Sequence, residues 1–199
     1  DRRGVDVALL YRPDQFDYID SESLPFTFSP TQVKITLNQE EQDYFRTRDI
    51  LMVHGLIDGE HCAFYVAHLP SRIGGKGSDL RSRGAEIIYN HASEMEKKYP
   101  GIKIVVMGDM NDNPTDESMT VWMHGKEDIK DVRQGDYFSP FTKMLADGYG
   151  SLAYQGSWNI YDVILANYDL TVAPDGGLKI CKIHKKGYYG RVFKKPFMT

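Results

Sequence analysis

Cysteine is nearly absent: Cys62 and Cys181 are the only two in 199 residues. They lie far apart and form no C-x-x-C, which excludes a zinc ribbon and a disulfide framework. No apolar run approaches the roughly 18 residues of a membrane span. A Walker A loop is lacking as well. In Gly74-Gly75-Lys76-Gly77-Ser78 a glycine separates the lysine from the hydroxyl residue that must follow it. The single candidate for an Asn-x-Ser/Thr acceptor, Asn113-Pro114-Thr115, is cancelled by its proline. Internal repeats and low-complexity tracts are missing. With 41% hydrophobic and 26% charged residues, the composition is that of a globular chain rather than a disordered one. The length fits one domain over residues 1–199.

Charge is unevenly placed. Seven of the 24 Lys and Arg fall in residues 179–199, with none of the 28 Asp and Glu, so the rest of the chain is strongly acidic. This basic tail reads either as a solvated loop beside an acidic body or as a flap over a phosphate-bearing substrate.

The pattern predicts strands at 5–11, 31–37, 49–57, 61–67, 102–107 and 160–166, with another at 170–173. Residues 14–30 and most of 126–158 read as irregular. Asp58-Gly59 is a hairpin signal between two of the strands. Ser78 is expected to cap a helix that buries Leu80, Gly84, Ile87, Ile88, His91 and Met95 and stops at Tyr99-Pro100-Gly101. Strand, helix and strand in succession, mixed with hairpins, predict a layered α/β or α+β architecture with mixed sheets.

Polar groups gather where apolar strands end. His68 follows Cys62-Ala-Phe-Tyr-Val-Ala67, and Gly108-Asp109-Met110-Asn111-Asp112-Asn113-Pro114 follows Ile104-Val-Val-Met107. Gly108 permits a sharp turn. In an extended segment Asp109 and Asn111 project to one side, placing a charged acceptor beside an amide donor. Such a pair suits a metal or an oriented water, with the amide aimed at a phosphoryl oxygen; the plainer reading is an Asx turn. Asp162, among Ile160, Tyr161, Val163, Ile164 and Leu165, is expected to be a buried carboxylate that needs donors or a cation. Trp158 and Tyr154 read as core or rim.

Together, Arg48-Asp49, His68-Leu69-Pro70, Gly108-Asp109-Met110-Asn111 and Trp158-x-x-x-Asp162 resemble the endonuclease/exonuclease/phosphatase superfamily in order and spacing. That superfamily includes deoxyribonuclease I, abasic-site endonucleases, neutral sphingomyelinases and inositol polyphosphate 5-phosphatases. The likeness runs from about Gly4 to Ala166. The Arg-Gly-Val-Asp-Val-Ala-Leu-Leu-Tyr-Arg-Pro and His-Leu-Pro-Ser-Arg-x-Gly-Gly segments look like a bacterial branch of largely uncharacterised members.

The resemblance implies a four-layer αββα sandwich of two mixed sheets flanked by helices. It also implies a metal-dependent phosphoesterase using Mg²⁺ or Mn²⁺, with Asp109 and Asn111 as metal ligands. Asp109 resembles the carboxylate that orients or deprotonates the attacking water. Asn111 resembles the amide on the scissile phosphate, and His68 a histidine near the phosphate and leaving group. Asp162 resembles the carboxylate that orients a second histidine. Arg48 and Arg72 are candidate phosphate binders, and Asp6 a candidate support for His68.

The family's N-terminal Asn and metal-binding Glu have no convincing match; Glu22, Glu40 and Glu41 lie in polar contexts. No Ser-Asp-His occurs, and His184 stands without it. The expectation is therefore a fragment lacking both ends, inactive alone, that dimerises or pairs with the missing segments. The competing expectation is a non-catalytic module that keeps the fold. The substrate is a phosphate ester: nucleic acid, phospholipid or phosphorylated small molecule. An acidic body argues mildly against tight duplex-DNA binding. Localisation is open; related bacterial proteins are often exported.

Overall fold

The computed structural model describes residues 4–72, 77–154, 156–174, 176–183 and 187–193. Residues 73–76, His184 with Lys185-Lys186, and residues 194–199 lie outside the described residues. The described strands are β1 (Asp17–Leu24), β2 (Ile50–Ile57), β3 (Glu60–His68), β4 (Lys103–Asp109), β5 (Gly125–Lys126), β6 (Tyr137–Phe138), β7 (Leu152–Tyr154), β8 (Ser157–Asn159) and β9 (Asp162–Asn167). Seven of them form a mixed sheet in the order β1-β2-β3-β4-β9-β6-β5, and β7 and β8 form a small second sheet. The helices are α1 (Gln39–Tyr44), α2 (Ser78–Lys98), α3 (Thr142–Ala146) and α4 (Tyr168–Thr171). A large mixed sheet, a smaller second sheet and flanking helices agree with the expected α/β sandwich.

The centre of the sheet follows the sequence closely. Asp58 and Gly59 both take positive φ, 50° and 81°, as a two-residue hairpin turn requires. They pair β2 with β3 antiparallel, from Ile57↔Glu60 to Leu51↔Val66. Helix α2 then carries the chain over to β4, which runs parallel to β3. One face of α2 (Leu80, Gly84, Ala85, Ile88, Ala92 and Met95) is buried. It packs on Ala63, Tyr65, Ala67, Ile104, Val106, Val163 and Leu165 of the sheet. The opposite face is covered in part by Leu9 and Phe16, which pack with Val53, Cys62 and Phe64. Ile164 on that face stays 42% exposed.

Several local expectations are corrected. Residues 5–11 are not a strand; Leu9 packs on the sheet while Val5, Leu10 and Tyr11 are exposed, and Asp17–Leu24 is the edge strand instead. Seven of the eight β1 residues are exposed, so no alternation marks it, and its carboxylates discourage further pairing. Residues 31–37 form turns. The Asp79 carboxylate accepts from the backbone N–H of Ile35 and Thr36, the groups a ladder would have used. Gly77, at φ 92°, precedes α2 in place of a Ser78 side-chain cap. Residues 168–171 are helical rather than extended, and β5, β6 and the β7–β8 hairpin fall where the sequence reads as loop.

Candidate active site

Register brings the site together. His68 is the Cα partner of Asp109 across the parallel β3–β4 pair, and Asp109 is the partner of Asp162 across β4–β9. The three side chains therefore stand in one row on the sheet face opposite α2. Gly108 makes the row possible. Its φ is 139°, and a Cβ there would come within 1.9 Å of the Ala67 carbonyl oxygen. No other residue fits that approach of β4 to β3.

His68 Nε2 lies 3.5 Å from Asp109 Oδ2. The other carboxylate oxygen, Oδ1, accepts from the backbone N–H of Asn111 at 3.0 Å. That is an Asx turn, and Asn111 sits at φ 51°, a conformation asparagine tolerates well. Asp109 and Asn111 thus meet through a turn, not through the extended alternation expected from their spacing. Asn111 Nδ2 donates to the Leu69 carbonyl at 2.9 Å, tying this turn to the loop after His68.

Asp162 is exposed to the cleft rather than buried among its apolar neighbours, because β9 turns those neighbours, Val163 and Leu165, toward α2. Partial desolvation, and then the facing Asp109 carboxylate, hold its pKa above the ordinary Asp range, while His68 pulls it down. Asp6 is exposed and accepts from its own neighbour Val7 N–H. His68 has its carboxylate partner in Asp109, so the expected Asp6 support is absent among the described residues.

Arg72 stands at the cleft wall. Its guanidinium lies 5.5 Å from the Tyr161 ring centre and donates to the Tyr161 hydroxyl at 3.3 Å. Asp116 is 3.3 Å away and Asp112 3.7 Å. Partial burial, which lowers its pKa, is outweighed by the Tyr161 hydroxyl and the two carboxylates, so the guanidinium stays charged. Arg48 precedes β2 at the sheet end where β3 finishes in His68, and its Nε is buried without a hydrogen-bond partner.

Ser71, Arg72, Asp109, Asn111, Tyr161 and Asp162 line one cleft of about 440 Å³, with Ser151 and, on strand β7, Leu152 and Tyr154 at its rim. Tyr154 is a rim residue as expected; Trp158, 58% exposed, is not core. The basic tail does not close over this cleft among the described residues. Lys182 and Tyr188-Tyr189 line a separate cleft with Lys126 and Lys143.

Three groups that hold the site escape the sequence motifs. Asn113 donates to Asn159 Oδ1 and accepts from Ile160 N–H, both at 2.9 Å, fixing the approach to Tyr161 and Asp162. Arg81 and Asp112 form a buried ion pair at 2.7 Å. One signal was available for Arg81: it interrupts the apolar stripe of α2 at helical spacing from Gly84, Ala85 and Ile88.

No group of three His, Cys, Asp or Glu side chains converges among the described residues. The row does not fit a metal site closed by protein. Two facing carboxylates with Asn111 nearby do fit an open Mg²⁺ or Mn²⁺ site, since Mg²⁺ is usually held by one or two carboxylates plus water and substrate phosphate.

Among known proteins, a model described as Endonuclease/Exonuclease/phosphatase family matches residues 1–199. No curated protein matches the sequence. The fold is similar to the human Nocturnin catalytic domain with bound sulfate anion, at 16% identity and TM-score 0.50 over 77% of this chain and 49% of that one. Truncated Caenorhabditis elegans TDP2 is similar at 15% identity and TM-score 0.51, over 79% of this chain and 55% of that one. The chain thus spans about half the length of these structures.

Proposed function

The chain belongs to the endonuclease/exonuclease/phosphatase family, a family of hydrolases, and from that premise we propose that its cleft belongs to a metal-dependent phosphoesterase. The observation that carries this reading is the register row His68–Asp109–Asp162 beside the Arg72 guanidinium. Arg72 takes a phosphate oxygen, a task suited to a planar, always charged donor. Asp109 orients a water toward phosphorus, with His68 Nε2 3.5 Å from its carboxylate. His68 also supplies an N–H to the developing charge. Mg²⁺ or Mn²⁺ would be held by Asp109, Asn111 and Asp162, where it would neutralise the phosphate when bound.

A generic phosphodiester, bis(p-nitrophenyl) phosphate, tests the proposal with and without Mg²⁺, on this chain and on a longer one carrying flanking sequence if the gene encodes it. Hydrolysis that requires metal and is lost in Asp109→Ala supports it. Full activity in Asp109→Ala refutes the assignment. A folded protein that binds phosphate and hydrolyses no ester is instead a non-catalytic module.

A further inference from the structure

We propose that Arg81 is a positioning residue whose task is to keep Arg72 available to the substrate phosphate; this rests on the phosphoesterase reading. Arg81 projects from the first turn of α2 and is 2% exposed. It pairs with Asp112, itself 3% exposed, at 2.7 Å. Its guanidinium also donates to the Pro70 carbonyl at 3.3 Å and the Ser71 carbonyl at 3.5 Å. One side chain therefore bolts together the loop that follows His68 and bears Arg72 and the loop that follows Asp109 and bears Asn111. Gly77 leaves the room for it, since a Cβ there would stand 2.8 Å from Arg81 Nη1.

The charge arrangement gives the bolt its second role. Asp112 Oδ1 faces two guanidiniums, Arg81 at 2.7 Å and Arg72 at 3.7 Å. The other oxygen accepts from Ser118 Oγ at 2.7 Å. A buried carboxylate must be paired. While the Arg81 charge stands against Asp112, Arg72 stays at a distance, spread over Tyr161 and the half-buried Asp116. Without Arg81 the remaining cation beside Asp112 among the described residues is Arg72, which would swing from the cleft wall onto Asp112 and cease to serve a phosphate.

The test compares wild type, Arg81→Met, Asp112→Asn and the double variant, each checked for folding by circular dichroism. Two quantities are read: the affinity for inorganic phosphate, and the Arg72 Nε–H resonance. In Arg81→Met, phosphate should bind about tenfold more weakly, the loss of one charge-assisted contact, and the Arg72 resonance should move. In the double variant no buried carboxylate recruits Arg72, so both readouts should return to within about twofold of wild type. A purely structural bolt predicts the opposite, because the double variant lacks both halves of it. If Arg81→Met does not fold, the folded double variant decides: retained phosphate binding supports the proposal and lost binding overturns it. A wild type that binds no phosphate counts against the phosphoesterase reading. In that case the Arg72 resonance still decides the inference, moved in Arg81→Met for it and unmoved against it.

Discussion

Replacing Asp162 by asparagine removes one of two carboxylates that β4 and β9 hold directly opposite each other. Like charges placed so on adjacent strands cost roughly 0.2–1 kcal/mol. Both groups are open to solvent, which screens them and favours the lower half of that range. For a chain of this size each kcal/mol moves Tm by about 2–4 °C, so Asp162→Asn should raise Tm by about 1–2 °C at neutral pH. The pH dependence follows from the raised pKa of Asp162. In the folded state the carboxyl keeps its proton to higher pH than in the unfolded chain, so its ionisation lowers stability as pH rises through that window. The gain in Tm should therefore be present at pH 7 and vanish near pH 3, where both carboxyls are protonated. High salt should shrink it. Esterase activity should fall while stability rises. Scanning calorimetry across pH on both proteins is the assay. A variant less stable than wild type at pH 7, or a Tm difference that ignores pH, would refute the repulsion argument.

Gly108→Ala should cost at least about 3 kcal/mol in urea unfolding, because its Cβ has no space beside the Ala67 carbonyl and its backbone disfavours a side chain. Ile88→Ala, at the fully buried centre of α2, should cost about 2–5 kcal/mol by the same assay. His54 is fully buried, and that burial lowers its pKa. The unfolded chain then takes up its proton first, so stability should fall as pH drops below about 6.5, and urea midpoints at pH 7 and 5 should converge in His54→Phe. Asn113→Ala should leave Ile160 N–H unpaired and loosen the Tyr161–Asp162 segment, lowering kcat more than it lowers Tm.

What could be read in advance was whatever local chemistry decides. Asp58-Gly59 forces a hairpin by backbone preference alone, and a 21-residue helix advertises its buried stripe. His68 and Asp109 stood out because each ends a strand, and Asp162 because a carboxylate interrupts an apolar run. β1 was not: it is held by ladder bonds to β2, and side chains that face water leave no period to detect. Residues 31–37 show the converse, an alternation without a partner, since Asp79 claims their backbone donors from 43 and 44 residues away. The Arg81–Asp112 pair joins a helix to a distant loop, and no spacing within either segment encodes it.

The row on β3, β4 and β9 has a consequence for how such a site can change over time. Its members are spaced by the sheet itself, at about 4.8 Å from strand to strand. That spacing cannot be tuned by a substitution; altering it means breaking a ladder. The rim is a different kind of material. Leu152 and Tyr154 sit on a three-residue strand paired, among the described residues, only with its hairpin partner, Ser151 just before it, and Ser71 and Arg72 on a loop. Insertions there leave every bond of the row intact. Reaction chemistry and substrate choice are thereby carried by separable parts, so one catalytic row can be fitted with successive mouths.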